Sequence, residues 1–258
     1  MNVRLPKPEN WHERPSLTAL SFLFVFGATA LGSWWSVVVL SRAEYATALV
    51  AFGFSAAFLC ATLAITITKF GWVHARGVTD KNGTVVPIDR IVSALYSETA
   101  ILIIPCGIAA LVFGFMGKLD LPVSGDRSQA FLALLVGFAV IGGISMVGAL
   151  FARGWLGHVC LMPSGFEISE LRRTSEGSWD DVKDVSDKTS DRRAAQPIEL
   201  VMNDGSTHVI NGAATYSPHG VALYWMVRHY WLHPEDRAEL TDGRAVERLR
   251  DEDFDTAS

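Results

Sequence analysis

Four apolar stretches, Leu17 to Leu40, Ala46 to Thr68, Thr99 to Gly117 and Ser128 to Ala152, contain no Asp, Glu, Lys, Arg or His. Each can cross a hydrocarbon layer about 30 Å thick as a helix, which takes about 20 residues. Lipid offers no water to bond backbone N–H and C=O groups, so a crossing segment of this kind must satisfy them internally. The third stretch is the shortest, carries Pro105 near its middle and follows Glu98, so its helix is expected to begin near Ile91. Four buried helices in a water-soluble domain would need more polar sequence to cover them than 258 residues supply. The runs therefore predict a four-helix integral membrane domain over residues 17–153, with membrane lipids as its surroundings. The first run is too long for the core of a secretory leader and is expected to remain as a helix.

Positive charge near the span ends sets the orientation. Arg4, Lys7 and Arg14 lie in an arm over residues 1–16. Lys69, Arg76, Lys81 and Arg90 lie in the connector over residues 69–90, and Arg153, Arg172 and Arg173 come after the fourth run. The opposite side has only Arg42, Lys118 and Arg127. Both termini and the connector are thus expected in the cytoplasm, with the chain multi-pass in a plasma membrane. Trp34, Trp35, Trp72 and Trp155 stand near span ends, where an indole keeps its ring apolar and its N–H wet, and they read as interfacial anchors. Small residues recur one helical turn apart at Ala28 and Gly32, Gly53 and Ala57, Ala110 and Gly114, and Ala139 and Gly143. This spacing lets helices approach closely, within the bundle or against another membrane subunit.

Transporters place polar or ionisable groups at depth to meet their cargo, and the four runs hold no Asp, Glu, Lys, Arg or His. Pro105 with Gly107 is their one conspicuous break and reads first as a kink. In the connector, Asn82-Gly83 suggests a tight turn between extended pieces at Gly77 to Thr79 and Thr84 to Val86, and the whole segment is a candidate to pack on the C-terminal domain.

After Gly154 the pattern becomes that of a small α+β domain, residues 154–236. Val159 to Met162 is extended, Pro163-Ser164-Gly165 turns, and Phe166 alternates with Ile168 on one face. A strand around Trp179 to Val185, a hairpin about Asn203-Asp204-Gly205 and a helix from Pro218 to Tyr230 complete a curved antiparallel sheet capped by one helix. Residues 237–258 read as a charged, partly disordered tail.

Charge divides the chain. Met1 to Arg153 has 11 basic and 8 acidic residues, the remainder 11 and 19. An acidic domain is repelled by nucleic acid and by anionic lipid, so nucleic acid is excluded as a partner.

Reactive side chains are sparse. Cys60 and Cys106 lie in spans as packing residues. Cys160 stands two residues from His158 on one strand face, the minimum geometry for an activated nucleophile. His229 and His233 are four apart, yet Pro234 comes next and the His-Glu-x-x-His pattern is missing. No catalytic residue, metal ligand or cofactor is nominated, and the chain reads as non-enzymatic.

Pro163-Ser164-Gly165-Phe166, Trp179-Asp180-Asp181-Val182, Ile198-Glu199-Leu200 with its Asn203-Asp204-Gly205 turn, and the helix ending near Tyr230-Trp231 together resemble the pleckstrin-homology-like modules of bacterial membrane proteins, over Leu156 to Arg237. The resemblance implies protein contact or placement at a membrane. Members that bind phosphoinositides do so in a basic pocket whose place here, Leu171 to Gly177, offers only Arg172 and Arg173 beside Glu170 and Glu176. Arm, four spans and C-terminal module also resemble actinobacterial membrane proteins that include the lipid uptake coordinators of the Mce lipid importers of mycobacteria. That likeness implies an accessory subunit in a hetero-oligomer with a multisubunit lipid transporter. An independent small transporter and a membrane-bound enzyme with a cytoplasmic active site are the alternatives.

Overall fold

A computed structural model of the chain describes residues 5–11, 15–119, 157–170, 174–189 and 196–256, with isolated positions between 136 and 148. Three long apolar helices precede a mixed α+β region of two antiparallel sheets and capping helices. The chain clusters into a helical unit, Arg14–Ile65 with Ala94–Gly154, and an α+β unit, Met1–Glu13 with Thr66–Ser93 and Trp155–Ser258.

In the helical unit, α1 spans Pro15–Ser41, α2 Tyr45–Lys69 and α3 Arg90–Phe115. At 1.5 Å rise per residue each is roughly 40 Å long, and all three are long and apolar enough to cross a membrane. The third helix begins at Arg90, well before its apolar run, and continues through Pro105. Most of the fourth expected span, Ser128 to Ala152, lies outside the described residues; the positions described within it are helical. Ala43 adopts φ 61° between α1 and α2, and the Glu44 N–H donates to the Val39 carbonyl at 3.0 Å, closing a tight helical hairpin. Leu23, Phe24, Leu31, Leu49 and Phe52 stand exposed along α1 and α2, as side chains facing lipid do.

The α+β unit is built on two sheets. The first has the order β1-β2-β3-β4-β5, from Val78–Thr79, Thr84–Pro87, His158–Met162, Gly165–Ser169 and Thr174–Ser178. The second joins β6 (Val182–Ser186), β7 (Ile198–Met202) and β8 (Thr207–Ile210). The sequence expectation of one capped sheet is thereby corrected to two, because the chain turns out of the first at Trp179–Asp181, a 3-10 turn entered through Ser178, whose Oγ accepts from the Asp180 N–H at 3.3 Å.

The first two strands come from the connector. Asp80 Oδ1 accepts from the N–H groups of Asn82 and Gly83 at 2.8 and 2.9 Å, folding 80–83 into the loop that pairs Thr79 with Thr84. Strand β2 then runs antiparallel to β3, with Val86 opposite Val159 and Val85 opposite Cys160. Gly83 is required at the join, since a Cβ there would overlap the Leu161 carbonyl oxygen. Gly165 is required for the same reason, against the Gly177 carbonyl where β4 meets β5.

Val86, Val159, Leu161, Phe166 and Ile168 from the first sheet and Val185, Ile198, Leu200 and Ile210 from the second bury their inward faces in one core. Helix α4, Val221–Leu232, covers it with Leu223, Met226, Val227 and Tyr230. The helix also shields the free edge of β6. Trp231 Nε1 donates to the Val182 carbonyl at 3.1 Å and Arg228 to that of Val185 at 3.2 Å, so two edge groups that invite a foreign strand are already bonded.

The tail expected to be partly disordered and the N-terminal arm both contribute to this core. Residues 239–251 form α5 (Glu239–Asp242) and α6 (Arg244–Asp251), which bury Leu240 and Leu249, and Phe254 beyond them is buried as well. The charges that suggested a disordered tail are engaged in pairing, above all Arg248 Nε with Glu239 at 2.7 Å. At the other end of the chain, Leu5 and Trp11 of the arm are buried in the same core.

Candidate functional site

Three groups of side chains bear on function: the strand pair His158 and Cys160, the end of α4, and the joint where the connector enters α3.

Strand β3 sets His158 and Cys160 on its outward face, opposite Pro87 and Val85 of β2 and Ser169 and Glu167 of β4. His158 Nε2 lies 3.5 Å from Glu167 Oε1. Burial, then Glu167 and Asp80, push the Cys160 thiol up to about 11. A nucleophilic cysteine needs the reverse, a thiolate favoured by positive charge, so this couple holds a protonated thiol at neutral pH.

At the end of α4, the His229 and His233 rings lie 4.7 Å apart between centroids. Each faces its own carboxylate: His229 Nε2 is 3.0 Å from Asp236 Oδ2, and His233 Nδ1 is 3.3 Å from Glu235. The first contact lacks the alignment of a hydrogen bond, leaving both His229 nitrogens buried and unbonded. Burial first, then Arg248 and His233, hold His229 below the ordinary histidine range against the opposing pull of Asp236. Around it Tyr230 donates to Glu239 at 3.2 Å, and Arg248 reaches Glu239 and, at 3.8 Å, Asp236. Among the described residues, no three His, Cys, Asp or Glu side chains converge as metal ligands do. What the arrangement does chemically is fasten 234–254 beneath α4.

The third group was not legible in the sequence. Asp89, 2% exposed, precedes α3 and caps it: Oδ1 accepts from the Ile91 and Val92 N–H groups at 2.8 and 3.2 Å. Its Oδ2 accepts from the His74 N–H at 3.0 Å, and its own N–H donates to the Thr215 carbonyl at 2.9 Å. One residue thus ties the start of α3 to both the connector and the C-terminal part of the domain. An Asp before an apolar run signals a helix start; its other partners, in His74 and Thr215, are non-local.

The small residues proposed for close packing are distributed as follows. Gly32 faces Ser55, and a Cβ on Gly53 would overlap the Cys106 sulfur. Ala57 is fully buried, and Thr99 Oγ1 approaches its carbonyl at 3.4 Å. Gly143 packs on Ile104 and the Ala100 carbonyl. These four positions serve contacts within the helical unit. Ala28 and Ala110 are half-buried, and Gly114 is exposed. Ala139 lies outside the described residues.

Of the anchors, Trp34 and Trp72 are exposed, Trp72 stacked on Phe70 at 5.4 Å. Trp35 is half-buried, with the Arg42 guanidinium 5.8 Å from its ring. Trp155, Arg172 and Arg173 lie outside the described residues.

No family model, curated protein or solved structure matches this chain. Its identity therefore rests on architecture: a helical region with membrane-spanning character followed by a small α+β domain.

Proposed function

We propose that the chain is a non-enzymatic accessory subunit of a larger membrane assembly, a lipid transporter by its resemblance to the lipid uptake coordinators, and that its α+β unit is a docking module. The observation that carries this reading is the three-part construction of that unit. Arm, connector and C-terminal segment close one core, so a partner seated on the module acts on the chain at three points leading into helices. A module loosely tethered by one linker transmits far less.

The same construction supports four crossings. Residues 66–93 and 155–258 share one unit, so a chain that leaves it through α3 must return before Trp155, and Ser128 to Ala152 is apolar and long enough to do so. With positive charge on the arm and connector, both termini lie in the cytoplasm of a plasma membrane. Three strands, three further strands and a helix support the pleckstrin-homology-like reading of residues 154–236, to which the connector adds β1 and β2 as an extension.

Purification of the tagged chain from its native membrane in mild detergent tests the proposal. A transporter recovered with it at fixed stoichiometry is the expected result. Repeated recovery of this chain alone, or associated only with itself, overturns it.

A further inference from the structure

The arm Leu5–Trp11 reads Leu-Pro-Lys-Pro-Glu-Asn-Trp; two prolines in three residues stiffen its first half, so it loses little entropy when bound, and the Trp11 N–H donates to the Pro8 carbonyl at 3.3 Å, turning residues 8–11. It lies in a groove made by Asp187, Pro197, Tyr224 and Trp225, residues far away in sequence. Three anchors hold it. Trp225 Nε1 donates to the Pro6 carbonyl at 2.8 Å. Asn10 donates to Asp187 twice, from its backbone N–H and its side-chain amide, both at 2.8 Å. Trp11, 5% exposed, inserts edge-on to Tyr224 at 5.7 Å between centroids and donates from Nε1 to the Pro197 carbonyl at 2.8 Å. Leu5 and Pro8 are buried between them.

Terminal residues that merely fill a gap in a core need only be apolar. These are read along their length by a tryptophan N–H on a proline carbonyl, a carboxylate on an amide and a pocket for an indole, which is how aromatic grooves recognise proline-bearing peptides. The walls come from Asp187 just after β6, Pro197 just before β7, and α4, so the arm fills the groove and contributes none of its walls.

We propose that this groove is a peptide-docking site, that its partner ligand is a Pro-x-Pro segment running into a Pro-x-Asn-Trp turn, and that the arm occupies it in cis until such a segment displaces it. The proposal stands whichever assembly the chain belongs to. Tethered four residues from the start of α1, the arm is present at an effective concentration on the order of millimolar, so a free peptide competes poorly with it.

The test uses the full chain in mild detergent with a protease site substituted for residues 12–14 and a fluorescent peptide of the arm sequence. The uncut protein is expected to take up little peptide. After cleavage the arm fragment should exchange, and the peptide should bind at one per chain, at least about tenfold more tightly than to uncut protein. Replacing the peptide's tryptophan by alanine should abolish uptake, and Trp225→Phe or Asp187→Ala in the cut protein should weaken it by about tenfold. If cleavage unfolds the unit, added peptide should restore its near-ultraviolet circular dichroism. The proposal is overturned if cut protein retains its fold and takes up no peptide, if it unfolds and peptide does not rescue it, or if the cleaved fragment resists exchange with excess peptide.

Discussion

His229 sits at 4% exposure near the end of α4, with Glu235 and Asp236 following just beyond Pro234, where a surface histidine would be expected to hold its proton readily. Burial, Arg248 and His233 outweigh Asp236 and depress its affinity for that proton. The linkage has a definite sign: as pH falls through about 6.5 the unfolded chain binds a proton there while the folded chain does not. Stability conferred by the neutral imidazole is therefore present above that value and lost on acidification. Thermal unfolding followed by tryptophan fluorescence should show a lower midpoint at pH 5.5 than at 7.5, and His229→Gln should flatten that dependence; an unchanged slope in the variant would assign it elsewhere. The sequence displays His229 and His233 one turn apart, but the carboxylates facing them come from the turn beyond Pro234. Asp89 is a similar case, a single acidic residue before a span whose backbone partners span the connector and Thr215.

Elements were legible where local chemistry specifies them. Asn203-Asp204-Gly205 gives its hairpin because Gly205 accepts φ 84° and Asp204 Oδ1 takes the Ser206 N–H at 2.8 Å. Gly165 and the alternation of Phe166 and Ile168 likewise give β4. Strand β5 was missed because Thr174–Ser178 has no apolar alternation and is held by its ladder to β4. The connector strands were legible as a turn flanked by short extended pieces, while their partner β3 lies some 70 residues onward and leaves no local trace. Similarly, Leu240, Leu249 and Phe254 are too sparse among charges to announce a packed face. The connector's place in the sheet makes a quantitative expectation. Val86 is fully buried opposite Val159, so Val86→Ala should destabilise the α+β unit by about 2 kcal/mol. Hydrogen exchange should then quicken along β2 and β3 together; quickening confined to β2 would mean the connector is an independent flap.

At the scale of the whole molecule, the boundary suggested by composition at Gly154 is not a boundary of folding. The C-terminal segment needs β2 along β3 and the arm over Tyr224 and Trp225 to close its core. Residues 154–258 expressed alone should therefore aggregate, with an uncovered β3 edge and an open aromatic groove. A monodisperse fragment with native-like near-ultraviolet circular dichroism would contradict this. The construction also bears on biosynthesis. Residues 5–11 and 78–87 leave the ribosome before their partners in 155–258 exist, so the unit closes only once nearly the whole chain has been made. Where the apolar helices cross a bilayer, the arm, connector and final segment must emerge on one face for the unit to close, and a chain threaded otherwise is left with unpaired strand edges.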